Sequence, residues 1–129
     1  MGMKLIAALC LALGLAWIWG RFLRFIKLDQ KIRIGIGMPL GEEAIKFSLA
    51  LAFDYQPLLV YLLFGFGEGL LESFLLKKPE ALKLILAGGL THFGFGVFFL
   101  FPVPPVLSFG LAIILHFLWN NLLLKNKAI

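Results

Sequence analysis

Apolar runs of near-membrane length, separated by short polar breaks, make up almost the whole chain. A bilayer core takes about 20 apolar residues per helix. The runs therefore predict five membrane-spanning helices, at about 5–23, 38–53, 57–76, 81–101 and 106–124. The breaks carry their own signals. Pro39 suits the first turn of the second helix, and Asp54-Tyr55-Gln56-Pro57 ends it. Lys77-Lys78-Pro79-Glu80 reads as a turn, with Pro79 placed to start the fourth helix, and Pro102, Pro104 and Pro105 permit a sharp reversal before the fifth. The segment 21–37 is different. Arg21, Arg24, Lys27 and Lys31 fall at helical spacing among Phe22, Phe25, Ile26 and Ile32, which predicts an interfacial segment with a cationic rim. Lys31-Ile32-Arg33-Ile34 alternates with period two, so the second half of that segment is expected to be extended. It serves either as a topology-setting linker or as a gate that guides substrate.

Composition fits that pattern. Of 129 residues, 61% are hydrophobic and 15% charged, and the mean hydropathy is +0.98. A soluble domain carries about 25% charged residues; this chain could not hide its apolar surface in water. The expected class is an all-α integral membrane protein, one multi-pass domain over 1–129 in the cell membrane, with the lipid bilayer as its solvent. The net charge of +5 would point to nucleic acid in a soluble protein. Here the cations gather at helix ends and set topology instead, so no nucleic-acid partner is expected. With the amino terminus outside, ten cations (Arg21, Arg24, Lys27, Lys31, Arg33, Lys77, Lys78, Lys83, Lys125 and Lys127) fall inside and only Lys4 outside. That bias predicts a cytoplasmic carboxy terminus. Leu5 to Gly20 imitates a signal peptide but lacks a small-x-small cleavage site, so it is expected to remain as the first span. Cys10 is the sole cysteine and forms no internal disulfide.

Ionisable groups inside such helices are costly and mark function by default. They are Glu42, Glu43, Lys46, Glu68, Glu72, His92 and His116, joined by Asn120 and Asn121. At about 1.5 Å per residue, Glu68, His92 and His116 are expected near mid-membrane, with Glu43, Glu72 and Asn120 about one turn nearer the cytoplasm. Glu42 and Lys46, Glu68 and Glu72, and His116 and Asn120 are each i,i+4 pairs, so each helix presents one polar stripe. Stripes from four helices should turn inward and meet. Close carboxylates resist ionising together, which poises one of them as a base or acid. Gly65, Gly67 and Gly69 surround Glu68, and Gly88, Gly89, Gly94 and Gly96 flank His92. They allow close helix packing or leave room for a substrate backbone.

Glu42-Glu43-Ala44-Ile45-Lys46-Phe47 resembles the EExxK signature of PrsW-type membrane proteases, within the wider superfamily of CAAX-processing intramembrane proteases. Phe64-Gly65-Phe66-Gly67-Glu68 matches FxxxE, Thr91-His92 stands where the first motif histidine belongs, and His116-Phe117-Leu118-Trp119-Asn120 matches HxxxN. The four motifs come in the family's order over about 41–121, although Gly88 stands where the family usually has phenylalanine. The resemblance implies an intramembrane endopeptidase acting on a membrane-associated protein or peptide. It implies that Glu42 activates a water, aided by His92, and that His116 and Asn120 donate to the oxyanion. Glu43 supports the site with Lys46, and Glu68 and Glu72 are accessory acids. No cofactor is expected. Zinc on Glu42, His92 and His116 is the alternative, less favoured because HxxxN suits an oxyanion hole and no HExxH helix exists.

Taken singly, these residues have plainer readings. Acidic residues in a first helical turn complement the macrodipole, and a lone histidine or asparagine can be interhelical glue. Two other functions fit the composition: a small proton- or ion-coupled transporter or channel subunit using Glu68, and a non-catalytic membrane chaperone on a protease-like core. Substrate identity, oligomeric state and the side on which the site opens are not encoded in any motif.

Overall fold

In the computed structural model, residues 2–75, 77 and 80–127 are described. Among them every regular element is helical: α1 (Gly2–Phe25), α2 (Gln30–Ile32), a π-helical segment (Arg33–Gly37), α3 (Met38–Ala52), α4 (Pro57–Leu75), α5 (Ala81–Gly96), a 3-10 turn (Val97–Leu100) and α6 (Pro105–Lys127). Four helical stretches, Gly2–Phe25, Pro57–Leu75, Ala81–Leu100 and Pro105–Asn126, are long and apolar enough to cross a membrane. The predicted turn at Lys78-Pro79 and the third span's last residue, Leu76, lie outside the described residues.

The basic segment departs from expectation. Helix α1 runs on through Arg21 and Arg24, and the chain is helical again from Gln30, where the Asp29 carboxylate accepts from the Lys31 backbone N–H at 2.8 Å. From there α2, the π segment and α3 form one unbroken helical run over 30–52, about 35 Å long at ~1.5 Å per residue. Four alternating residues are too few to outweigh helical hydrogen bonding, which satisfies every backbone group locally where water is scarce. Pro39 accordingly lies inside this run and does not open it.

Pro39 accounts for the π segment. It has no N–H to give and its ring crowds the preceding turn. Met38 N–H bonds to Arg33 O, an i,i+5 bond. The next such bond would run to Ile34 O from Pro39, which has no donor. The Asn120 side-chain amide of α6 takes that place, donating to Ile34 O at 2.9 Å. Asn121 donates to Gly35 O at 3.5 Å, and Trp19 of α1 donates to Gly37 O at 2.8 Å. The opened turn is thus clasped from both sides. A side chain at Gly41 would strike the Trp19 indole, so glycine there lets α1 lie against α3.

Packing follows small residues. Ala8, Ala12, Ala16 and Gly20 form an i,i+4 stripe that buries α1. Ala12 and Ala16 meet Leu49 of α3 and Phe64 of α4. Helices α4 and α5 touch backbone to backbone: a Cβ at Gly65 would meet the Gly88 carbonyl, and one at Gly69 the Leu84 carbonyl. This is the close approach that small residues permit between membrane helices. Lys27, Asp54 and Lys77 end three helices with left-handed φ values of 54°, 54° and 49°.

Candidate active site

The helix pairings bring the carboxy-terminal ends of α1, α4 and α6, the start of α5 and the π segment to one end of the bundle. Arg24, Arg33, Glu72, Leu84 and Leu123 line the same cavity there. That cavity, about 640 Å³, reaches inward to Glu42, Glu68, His92 and His116. Next to Lys46, aromatic rings pack against one another. Phe47 stacks between Phe99 and Phe109 at 5.6 and 5.0 Å, and Tyr61 tilts against Phe99 at 5.5 Å.

Six of the expected residues converge. Helix α3 supplies Glu42, Glu43 and Lys46, α4 Glu68, α5 His92 and α6 His116. Glu43 and Lys46 are completely buried, and Glu42, His92 and His116 nearly so. Lys46 Nζ lies 2.5 Å from Glu43 Oε1 and 2.9 Å from His92 Nδ1. His92 Nε2 lies 2.7 Å from Glu68 Oε2, and His116 Nδ1 2.6 Å from Glu43 Oε1. The rings of Tyr61, Phe64 and Phe95 have their centroids 4.6, 4.9 and 5.9 Å from Lys46 Nζ. Glu43 and these three π faces suit a desolvated ammonium. Phe95 also stacks on His116 at 4.5 Å.

Donor chemistry assigns the direction of each bond. An ammonium only donates and an ionised carboxylate only accepts. Lys46 therefore donates to both Glu43 and His92 Nδ1, which leaves the His92 proton on Nε2, where it points to Glu68. His116 donates from Nδ1 to Glu43, so in the neutral ring its Nε2 carries the lone pair. That lone pair faces Glu42 Oε2 at 3.8 Å.

Several expectations about position need correction. Glu43 shares the layer of His92 and His116 instead of lying one turn nearer the basic end. The helical run starts at Gln30, not Met38, so Glu43 sits deeper along it. Asn120 lines the same cavity, but one of its N–H groups is committed to Ile34 O. Glu72 lies on the cavity wall toward the basic end, outside the buried cluster. Glu42, Glu68 and His92 offer ligand atoms within 4.8 Å of one another, so Glu68 replaces His116 in the set closest to a metal-binding arrangement. Tyr61, Phe64 and Phe95 were not foreseen around Lys46. The available signal was spacing: Tyr61 is two turns before Glu68, on the same helix face. Compared with known proteins, the chain matches no family model, no curated protein and no solved structure.

Proposed function

We propose that this chain is an intramembrane endopeptidase of the PrsW-like, CAAX-processing type, cutting a membrane-associated protein or peptide. The observation that carries the reading is the facing pair at the cavity floor, Glu42 Oε2 and His116 Nε2, with His116 anchored through Nδ1 to Glu43. A water held between them is deprotonated by Glu42 as its oxygen adds to the scissile carbonyl carbon. The oxyanion takes the second N–H of Asn120, whose first is held by Ile34 O. Collapse breaks the C–N bond as a proton passes, through the Glu42–His116 pair, to the leaving nitrogen. His116 is thus a proton acceptor and carrier rather than an oxyanion donor. His92 contributes from behind, because both of its nitrogens are engaged.

The run over 30–52 is the second of five crossings, with the amino terminus outside and the carboxy terminus in the cytoplasm of a cell membrane. The cavity then opens to the cytoplasmic side, among the cations that set topology.

The test uses purified protein in liposomes with a panel of single-span fluorogenic peptides. Wild type should cleave, and Glu42→Gln should lower the rate at least ~10³-fold with melting unchanged. Undiminished turnover by Glu42→Gln ends the assignment. Ion flux that needs Glu68 but neither His116 nor Asn120 would favour the transporter.

A further inference from the structure

We infer that Lys46 is the positioning residue that fixes the protonation of His92: neutral, with its proton on Nε2, so that a metal would have to displace that proton to bind there. The catalytic use of this device rests on the hydrolase reading above; its test does not.

The argument is one of hydrogen-bond direction. His92 is buried and touches charged groups on two sides, Lys46 of α3 at Nδ1 and Glu68 of α4 at Nε2, with the Glu42 carboxylate of α3 within 4.8 Å and the His116 ring of α6 edge-on at 5.5 Å. A histidine next to a carboxylate alone is free to take a second proton and pair with it as an imidazolium. Lys46 removes that option. Its ammonium sits 2.9 Å from Nδ1 with no proton to accept, so a proton on Nδ1 would oppose a like charge in a water-poor site. The remaining neighbours hold Lys46 in place: Glu43 at 2.5 Å and the faces of Tyr61, Phe64 and Phe95. Lys46 also donates to the carboxylate that orients His116. One cation therefore gives the two histidines opposite roles. His92 becomes a donor at Nε2, and His116 keeps an acceptor at Nε2.

A consequence concerns metal. A histidine ligand needs a lone pair on the coordinating nitrogen, with the other nitrogen bearing the proton. In His92 the Nδ1 lone pair is taken by Lys46, and Nε2 carries the hydrogen. The grouping of Glu42, Glu68 and His92 has the proximity of a metal site, but its imidazole at rest offers no free lone pair, which opposes metal binding.

Nitrogen-15 spectra of histidine-labelled full-length protein in micelles read the two ring nitrogens directly. In wild type His92 should show an unprotonated Nδ1 and a protonated Nε2 at neutral pH, and added zinc should leave both resonances in place. Lys46→Met should shift Nδ1 to the protonated position. Glu68→Ala, with Lys46 intact, should keep Nδ1 unprotonated, and this variant decides the matter even where Lys46→Met does not fold. Lys46→Arg should resemble wild type. A protonated Nδ1 in wild type or in Glu68→Ala overturns the inference, as does a zinc-induced shift of His92 Nε2.

Discussion

The chain contains the same ion pair twice. Glu43 and Lys46 are i,i+3 on α3, and Glu80 and Lys83 are i,i+3 at the start of α5. The first pair is wholly buried at 2.5 Å; the second is 61% and 77% exposed at 3.0 Å. Around Glu80 and Lys83, solvent satisfies whatever the pair does not. Around Glu43 and Lys46 there is no such reserve, so the carboxylate recruits His116 and the ammonium recruits His92 and three aromatic rings. Spacing along a helix makes a pair, and burial turns a pair into a network that ties α3 to α4, α5 and α6.

The sharpest test of that contrast is removal of the buried cation. Lys46→Met strands Glu43 without its counter-charge and should cost about 3–5 kcal/mol, the usual penalty for breaking a buried pair. Equilibrium unfolding in mixed micelles measures it, and a loss below ~1 kcal/mol would mean that the network contributes little. Next in size is Glu43→Gln, which preserves shape and removes charge. It should cost about 1.5–3 kcal/mol. It should also slow peptide cleavage about 10²–10⁴-fold, because an amide no longer fixes the His116 tautomer. Equal loss of cleavage and of folded protein would show that Glu43 is structural only.

Much of this was legible before any coordinates. Apolar length located four helices able to cross a membrane, while the fifth expected span, 38–53, is not among them, and the i,i+4 stripes turn inward at Glu42 and Lys46 but not at Glu72. The convergence of Glu42, Glu43, Lys46, Glu68, His92 and His116 follows from the cost of stranding any of them in lipid. What could not be read were the consequences of one residue, Pro39. Its missing N–H opens the helix into a π turn, and that turn takes up the Asn120 amide. No spacing rule announces that a donor on α6 will be needed by a carbonyl 86 residues earlier. The depth of Glu43 was misread for a related reason: a short alternating run, Lys31 to Ile34, resembled an extended strand and hid the true start of the helix. Which histidine nitrogen bears a proton was likewise beyond reach, since it depends on partners from three helices.

The Asn120 clasp gives a third test, intermediate between buried network and open surface. Asn120→Ala leaves Ile34 O without a donor in a half-buried place. It should cost about 1 kcal/mol. Asn121→Ala should cost less, because its 3.5 Å contact with Gly35 O is marginal and its better bond runs within α6 to Phe117 O. If Asn120 also serves the oxyanion, the two variants separate further in cleavage than in stability. Matched losses in both readouts would confine Asn120 to clasping the π turn.

The smallest effect is expected at the exposed twin. Lys83→Ala removes an ammonium that bonds Glu80 at 3.0 Å in full view of solvent. Water hydrates the abandoned carboxylate, and holding two long side chains together costs entropy that the variant regains. Stability should change by less than ~0.5 kcal/mol, and raising the salt should narrow even that difference, because exposed charges are screened. Salt should leave the Lys46→Met penalty nearly unchanged, since ions do not reach that pair. The two lysines thus differ in a quantity measurable on intact protein, the salt dependence of the mutational loss. A Lys83→Ala loss as large and as salt-insensitive as that of Lys46→Met would show that spacing, not burial, governs both pairs.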